Sequence, residues 1–419
     1  MKIANGMEAK TELSRHTIDA SVHLDALRGL AAIWVLLGHS RGLFIETRIG
    51  TLISGKPHTY AGPLQSTTEP VIISHLRISQ LLNGQHALAR AAVIVFFVLS
   101  GYLVGGSVIR TMRKGAFSWS RYLFQRLTRL WIVLLPALLL GAMLDMGGMY
   151  FLHSQQNIYR AGPIIAPTIA SHLTLGAFFG SALFLQDIAT TYFGTNGPLW
   201  SLSYEFWFYL FFPLLLTVLF ASKRRGVRVT AGLLLLTLMT ACGWRIGVCF
   251  LIWLLGAWIE ILPLKLPPRL RKKSTFAAGL LLLFAIYLQL RFPINLFVSD
   301  FLLGVVVSLF LWTLLHAREV SVHPLYRTSA QGLSRMSYTL YLVHYPMLVF
   351  ISAMLMPVWR LWPLAPLPGV KLLLIVTTVF VYAWLVYYCF ERNTERIRKW
   401  LMRFRVGQGL VAAESGKTV

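Results

Sequence analysis

Ten apolar stretches, each near the length of a membrane crossing, alternate with connections that are by turns rich and poor in Lys and Arg. They lie at 24–44, 85–109, 130–151, 198–221, 229–246, 247–262, 275–291, 296–316, 336–357 and 370–390. A hydrocarbon core about 30 Å thick needs about 20 apolar helical residues to cross it. The fifth and sixth stretches are short, and Gly243 and Arg245 are the only break between them. Residues 172–186 are apolar but shorter still, which suits an interfacial or re-entrant segment. Only 13% of the 419 residues are charged, about half the roughly 25% of a soluble domain. A soluble fold of this composition would face water with much apolar area, so the expected class is an all-α polytopic membrane protein of about ten transmembrane helices. The 13% aromatic content excludes a disordered chain. The net charge of +24 is dispersed in short clusters between apolar runs, which argues against a nucleic-acid partner. Cys242, Cys249 and Cys389 lie in apolar stretches without metal-ligand spacing and read as small buried hydrophobes; no metal is expected.

The basic clusters set the orientation. Residues 110–129 hold Arg110, Arg113, Lys114, Arg121, Arg126 and Arg129. The connections at 222–228 and 263–274 are similarly basic, with Lys223, Arg224, Arg225 and Arg228 in one and Lys265, Arg269, Arg271, Lys272 and Lys273 in the other. The segment after 390 opens with Arg392, Arg396, Arg398 and Lys399. Basic connections are retained in the cytoplasm, which places both termini there and the long connections 45–84 and 152–197 outside. The expected organisation is a cytoplasmic segment over 1–23, a membrane domain over 24–390 and a cytoplasmic tail over 391–419, its last ~15 residues disordered. Residues 1–23 are polar and mixed in charge, unlike a cleavable signal. With no soluble catalytic domain expected, any chemistry belongs in or beside the bilayer.

A charge at mid-bilayer costs about 2.5–3.5 kcal/mol, so ionisable residues within spans need a partner or a task. Arg28 and His39 lie eleven residues apart in LDALRGLAAIWVLLGH, on one helix face and about 16 Å apart along the axis. His39 reads as a general base or as a histidine bonded to a neighbouring helix; Arg28 reads as part of a polar track or as a snorkelling side chain. Glu205 and Tyr209, four apart in SLSYEFWFYL, share a face. Counting from the span ends brings Glu205 to a depth similar to that of His39, where it would orient the ring; the alternative is a bond to an unrelated helix. Tyr209 suits packing equally well. Arg126 and Arg129, three apart at the mouth of the third span, either grip phosphates or anchor the helix at the cytoplasmic face. Asp145 and Asp300 either line an acceptor entrance or pair with Arg160, Arg245 or Arg291. His344, in SYTLYLVHYP, either contacts a donor or satisfies a helix partner. Ser100 and Gly101 suit close helix approach.

LDALRGLAAIWVLLGH, VFFVLSGYLVGG, RYLFQRLTRLW, GPLWSLSYEFWFYLFFP and SYTLYLVHYPML, in this order, resemble the acyltransferase-3 family of integral membrane O-acyltransferases. The resemblance runs from the first span to the ninth. It implies a ten-helix domain in a bacterial cytoplasmic (inner) membrane. This domain takes an acyl group, most simply acetyl, from cytoplasmic acyl-CoA and delivers it to a hydroxyl of an envelope or exported glycan. It implies that His39 is the essential histidine and Arg28 its partner in the Arg-x10-His motif. It further implies that Arg126 and Arg129 hold the CoA phosphates, and that Glu205 and Tyr209 form the E-x-x-x-Y motif. Here the third span starts without the adjacent Arg-Arg often seen in the family. Some members carry an SGNH-type domain after the last helix; this chain would act alone or with a separate extracytoplasmic partner.

Combining the residues with the resemblance, CoA phosphates dock near Arg126 and Arg129, the pantetheine arm passes Arg28, and the thioester meets His39. There His39 deprotonates the acceptor hydroxyl; a covalent acyl-histidine relay is the second route. His344 falls on the donor side of this scheme. The competing class is a transporter or flippase of a glycan or lipid-linked sugar, which would also place ionisable residues and broken helices in the membrane. The two halves show no inverted repeat, and the unrelated MBOAT acyltransferases fit these motifs poorly.

Overall fold

A computed structural model describes residues 2–46, 88–162, 165–220, 225–262, 266–291, 296–316 and 323–403, with side chains from residue 21 onward except at 291 and 296. Ten long helices account for most of these residues. They are α1 (Lys2–Phe44), α2 (Leu88–Arg113), α3 (Trp119–Phe151), α4 (Trp200–Phe220), α5 (Arg225–Cys242), α6 (Trp244–Ile259), α7 (Pro268–Arg291), α8 (Leu296–His316), α9 (Pro324–Leu355) and α10 (Pro366–Cys389). No strand occurs among the described residues, only isolated bridges. Nine of the ten helices are long and apolar enough to cross a bilayer, and the chain is a multi-pass membrane protein of all-α class.

The exception is α6, expected as a full span over 247–262 and found as a helix of 16 residues. At 1.5 Å per residue it is about 24 Å long, short of the hydrocarbon core. Gly243 breaks the chain before it with φ +85°, a conformation that favours glycine. The α6 helix packs against α2 at backbone contact. A Cβ on Gly101 would lie 2.0 Å from the Trp253 carbonyl oxygen, and one on Gly256 would lie 2.0 Å from that of Val98. Only small residues allow such an approach between membrane helices. Here α2 loosens into a π turn at Gly101–Gly105, a distortion that often accompanies functional sites.

Sorting by burial separates core helices from lipid-facing ones. Within their apolar windows α2 and α9 are 72% and 67% buried, whereas α5 and α7 are 11% and 6% buried. Leu233, Leu236, Phe276 and Leu283 are exposed on the outer helices, where acyl chains take the place of a protein core. The α9 helix is central and touches α1, α3 and α10. At one end, here the basic end, lie Arg110, Arg113, Lys114 and Arg121, and Arg110 pairs with Glu260 at 2.8 Å. The opposite end, the loop end, carries the α3–α4 and α9–α10 connections, tied together where Trp359 N–H donates to the Gln156 carbonyl.

The α3–α4 connection does not stay at the surface. Trp131 Nε1 donates to the Ala182 carbonyl at 2.8 Å, and Ser203 Oγ and Trp207 Nε1 both donate to that of Phe184. Trp131 lies twenty residues before the end of α3, about 30 Å down the helix axis. The helix Leu175–Ala182 and the turn after it therefore form a re-entrant segment. Phe184 and Asp187, at φ 60° and 64°, reverse the chain at its floor.

Several expectations are revised or fall outside the description. The α1 helix begins at Lys2, well before residue 24. Cys389 is exposed at the end of α10, while Cys242 and Cys249 are buried. Most of the 45–84 connection, residues 85–87, Lys223, Arg224, Lys265, the side chain of Arg291 and the tail beyond 403 lie outside the described residues.

Candidate active site

Two cavities open along the inner faces of α1, α2, α4 and α9. The basic chamber, about 430 Å³, is lined by Arg28, Arg126, Arg129, Glu205 and Tyr209 together with Asp25, Ser100, Tyr338 and Glu391. The histidine chamber, about 230 Å³, is lined by His39, Arg90, Val93, Tyr192, Trp200, Tyr341 and Tyr345. It continues toward the loop end into a wider antechamber of about 890 Å³ through the shared Arg90, Thr168, Tyr192, Gly197 and Trp200.

His39 and His344 meet directly, with His39 Nδ1 2.8 Å from His344 Nε2 and the rings nearly parallel. The bond pattern fixes their tautomers. His344 Nδ1 lies 2.7 Å from the Tyr341 carbonyl oxygen and 3.1 Å from that of Leu340. Carbonyl oxygens only accept, so this nitrogen carries the hydrogen. In the neutral pair His344 Nε2 then accepts, His39 Nδ1 donates, and the basic lone pair of His39 falls on Nε2. His344 is fully buried and lines neither chamber. Its contact is with His39, not with the cavity that holds the arginines.

Two prolines place these groups. Pro346 lacks an N–H and so leaves the Leu342 carbonyl, four residues earlier, without its helical donor. Asn196 Nδ2 fills the position at 2.8 Å, pinning the start of α4 one turn from His344. Pro213 frees the Tyr209 carbonyl in the same way, and Tyr122 OH of α3 donates to it at 3.1 Å. In both cases another part of the bundle re-satisfies the freed backbone group, as a bilayer demands.

This arrangement corrects the expected neighbourhood of Glu205, which lines the basic chamber and does not meet His39. Counting from the surface assumed that α4 begins at the membrane boundary. Instead the re-entrant segment delivers the chain to α4 at the level of Leu342, so Glu205, eight residues beyond Gly197, lies about 12 Å further toward the basic end. Its Oε1 accepts from Ser100 Oγ at 2.6 Å and from Tyr209 OH at 2.5 Å. Ser100 also accepts from Trp253 Nε1, so the close α2–α6 crossing and its π turn fix the Glu205 carboxylate.

Among the described residues the arginines of the basic chamber make no direct ion pair with the carboxylates that share it. The Arg126 guanidinium lies over the rings of Tyr122 and Tyr209 at 5.5 and 5.6 Å, and its buried Nε has no hydrogen-bond partner. Arg28, Arg126 and Arg129 form no ion pair among the described residues. Glu391 reaches the same chamber from beyond α10 and accepts from Thr339 N–H and Oγ1.

Both buried aspartates find partners other than Arg160 and Arg245. Asp300 pairs with Arg90, which approaches it through Nε and Nη2 at 2.6 Å each, and with Gln289. Arg90 also lies 5.6 Å from the Trp200 ring. Among the described residues Asp145 pairs with no arginine; it accepts from Thr195 N–H, Thr195 Oγ1 and Tyr159 OH. This clasp ties the re-entrant connection to α3 next to Asn196. Burial, with the adjacent carboxylate, raises the Tyr159 phenol above its usual range, so it remains a donor at neutral and mildly alkaline pH. Arg90 and Tyr341 were not singled out from sequence. A search for unpaired charges within the second span would have found Arg90; nothing in the sequence marks Tyr341.

Comparison with known proteins agrees with the motifs. A protein of Haemophilus influenzae, described only as uncharacterized, is 28% identical over 138 residues. The match covers 32% of this chain and 52% of that protein, about half its length. No solved structure matches the chain. The profile described as an acyltransferase domain matches residues 22–388, nearly the whole chain. The chain therefore belongs to the acyltransferase-3 family of membrane acyltransferases.

Proposed function

We propose that this protein moves an acyl group, most simply acetyl, from cytoplasmic acyl-CoA to a hydroxyl of an envelope or exported glycan, with His39 as the general base. The observation that carries the reading is the separation of a chamber with three arginines lacking ion pairs from a chamber with a histidine whose basic nitrogen is set by His344. A polyanion suits the first, since guanidinium groups bind phosphate through charge-assisted hydrogen bonds. An alcohol suits the second. The orphaned Arg126 Nε is a donor in want of an acceptor. The nucleotide of CoA lies at the basic end, with Arg126 and Arg129 on its phosphates, and the pantetheine arm runs past Arg28, Glu205 and Tyr209.

In the chemical step the acceptor oxygen attacks the thioester carbonyl carbon while His39 Nε2 takes the hydroxyl proton. The hydrogen bond from His39 Nδ1–H to His344 keeps the ring in place as Nε2 becomes protonated. The tetrahedral intermediate collapses, the carbon–sulfur bond breaks, and His39 returns the proton to the thiolate, giving ester and CoA. Cytoplasmic termini, which the basic connections support, and a bacterial inner membrane, which the family resemblance implies, belong to this proposal.

Transfer of labelled acetyl from acetyl-CoA to extracted envelope glycan by the purified protein in detergent tests the reading. An enzyme transfers label where no membrane separates two compartments; a glycan transporter does not. Failure to transfer, together with envelope glycans of unchanged mass when the gene is deleted, would reject the proposal.

A further inference from the structure

Among the described residues one side chain belongs to the walls of both chambers: Tyr341. Every other lining residue sorts to one side. On α2, Val93 faces the histidine chamber and Phe96 the basic one; on α9, Tyr345 faces the first and Ser337 the second. At the start of α4 the same change occurs between Pro198 and Ser201.

The Tyr341 ring is pinned across this boundary. Its hydroxyl donates to the Pro198 carbonyl and accepts from Ser201 Oγ at 2.6 Å, one partner on each side of the divide. Phe96 meets the ring edge-on, with centroids 6.1 Å apart. The Tyr341 backbone carbonyl holds His344 Nδ1, so the partition and the histidine pair share one residue. A thioester arriving from the basic end must displace this ring to reach His39. Beyond it the 230 Å³ chamber, walled by Tyr192, Trp200 and Tyr345, must seat the acyl group beside His39, while the acceptor enters from the antechamber.

We propose that Tyr341 is a specificity-determining partition between the donor and acceptor chambers, admitting a short acyl group to His39 and excluding longer acyl groups and water. The proposal rests on the acyl-CoA reading above. Breaking the hydroxyl bonds loosens the ring, and removing the ring joins the chambers. A longer acyl chain then fits, and water gains access to the thioester. Hydrolysis adds water across the thioester to give carboxylic acid and free CoA, with no other reactant.

Purified protein in detergent is given acetyl-, butyryl- or hexanoyl-CoA, with and without envelope glycan, and CoA release is followed with a thiol reagent. In Tyr341→Ala the ratio of butyryl to acetyl turnover rises about tenfold or more, and release without acceptor rises with it. Tyr341→Phe and Ser201→Ala, which keep the ring, shift the ratio the same way by about threefold. Unchanged ratios in a folded Tyr341→Ala protein overturn the proposal. If that variant does not fold, unchanged ratios in both milder variants overturn it.

A second readout needs no chemistry. Ser337→Cys is placed in a background whose three native cysteines are replaced by alanine. A charged thiosulfonate reagent is then applied to sealed membrane vesicles of either orientation. With Tyr341 present the cysteine reacts from one side only; with Tyr341→Ala it reacts from both. Equal reaction with and without the ring overturns the partition. One-sided reaction together with no turnover of any acyl-CoA overturns the donor reading and leaves the partition standing.

Discussion

The two chambers share four helices, with α3 adding Arg126 and Arg129 to the basic one, and use polar groups in opposite ways. In the histidine chamber the groups are matched within the protein: His39 to His344, Arg90 to Asp300, and the Tyr341 hydroxyl to Pro198 and Ser201. In the basic chamber Arg28, Arg126 and Arg129 form no direct ion pair among the described residues, and the carboxylates that share the chamber, Asp25, Glu205 and Glu391, are engaged by Ser334, by Ser100 and Tyr209, and by Thr339. Charges in a bilayer are costly unless paired. A preorganised constellation and a set of cations without direct ion pairs therefore meet different demands. The first suits bond making, which needs fixed geometry; the second suits holding an anion that comes and goes. The contrast predicts a kinetic division: lesions in the histidine chamber lower kcat, and lesions in the basic chamber raise KM for acyl-CoA.

The largest effect is expected for His39→Ala. Loss of a general base lowers kcat by about 10²–10⁴-fold while KM for acetyl-CoA stays near wild type. Steady-state transfer of labelled acetyl in detergent measures both. Near-normal kcat would remove His39 from the chemistry and with it the contrast between chambers. The double variant Arg126→Ala/Arg129→Ala comes next. Charge-assisted contacts to phosphate contribute about 1.5–3 kcal/mol each, less for the more exposed Arg129, so KM rises on the order of 10- to 100-fold with kcat retained. Added salt raises KM of the wild type more than that of the variant. A fall in kcat with KM unchanged would place these arginines at the reacting end.

His344→Ala is expected to lower kcat by about 10- to 100-fold, because the His39 ring loses the acceptor that fixes its tautomer. His344→Asn distinguishes positioning from packing. Its amide oxygen can accept from His39 Nδ1–H, so it recovers part of the lost rate. Equal losses in the alanine and asparagine variants would make the contact merely steric.

Nine of the ten expected crossings and the break at Gly243 are visible in the sequence because span length, hydropathy and glycine are local signals. Arg28, His39, Arg126, Arg129 and Glu205, which line the chambers, are also visible, since an ionisable residue in or beside an apolar run is conspicuous. Their assignment to chambers is not. Glu205 was placed beside His39 by counting from the membrane surface, and the count failed because the chain enters α4 from within the bundle. The arginines that the sequence offers Asp300 do not include Arg90, its partner in the structure, which lies near the start of its span. Tyr341 carries no charge and interrupts no pattern. Its place at the divide arises from three helices converging, which is a property of packing alone.

The smallest predicted effects test the contrast most finely, because one structural device serves both chambers. Pro346 and Pro213 each free a carbonyl, and Asn196 and Tyr122 each supply the missing donor. Asn196→Ala and Tyr122→Phe should each destabilise the protein by about 1 kcal/mol, given the modest net worth of such bonds in membranes. The cost for Asn196 falls at the low end, since its buried Oδ1 has no partner and leaves with the side chain. Thermal unfolding in detergent should thus show two similar small shifts. The kinetic consequences should diverge. Asn196 holds the segment of α9 that carries His344, so its loss lowers kcat a few-fold. Tyr122→Phe keeps the ring beneath Arg126 but releases the backbone of Tyr209, so it raises KM for acyl-CoA with kcat retained. If both variants changed kcat and KM in the same proportions, the chambers would be mechanically one unit, and the division of labour between them would fail even with both sets of residues essential.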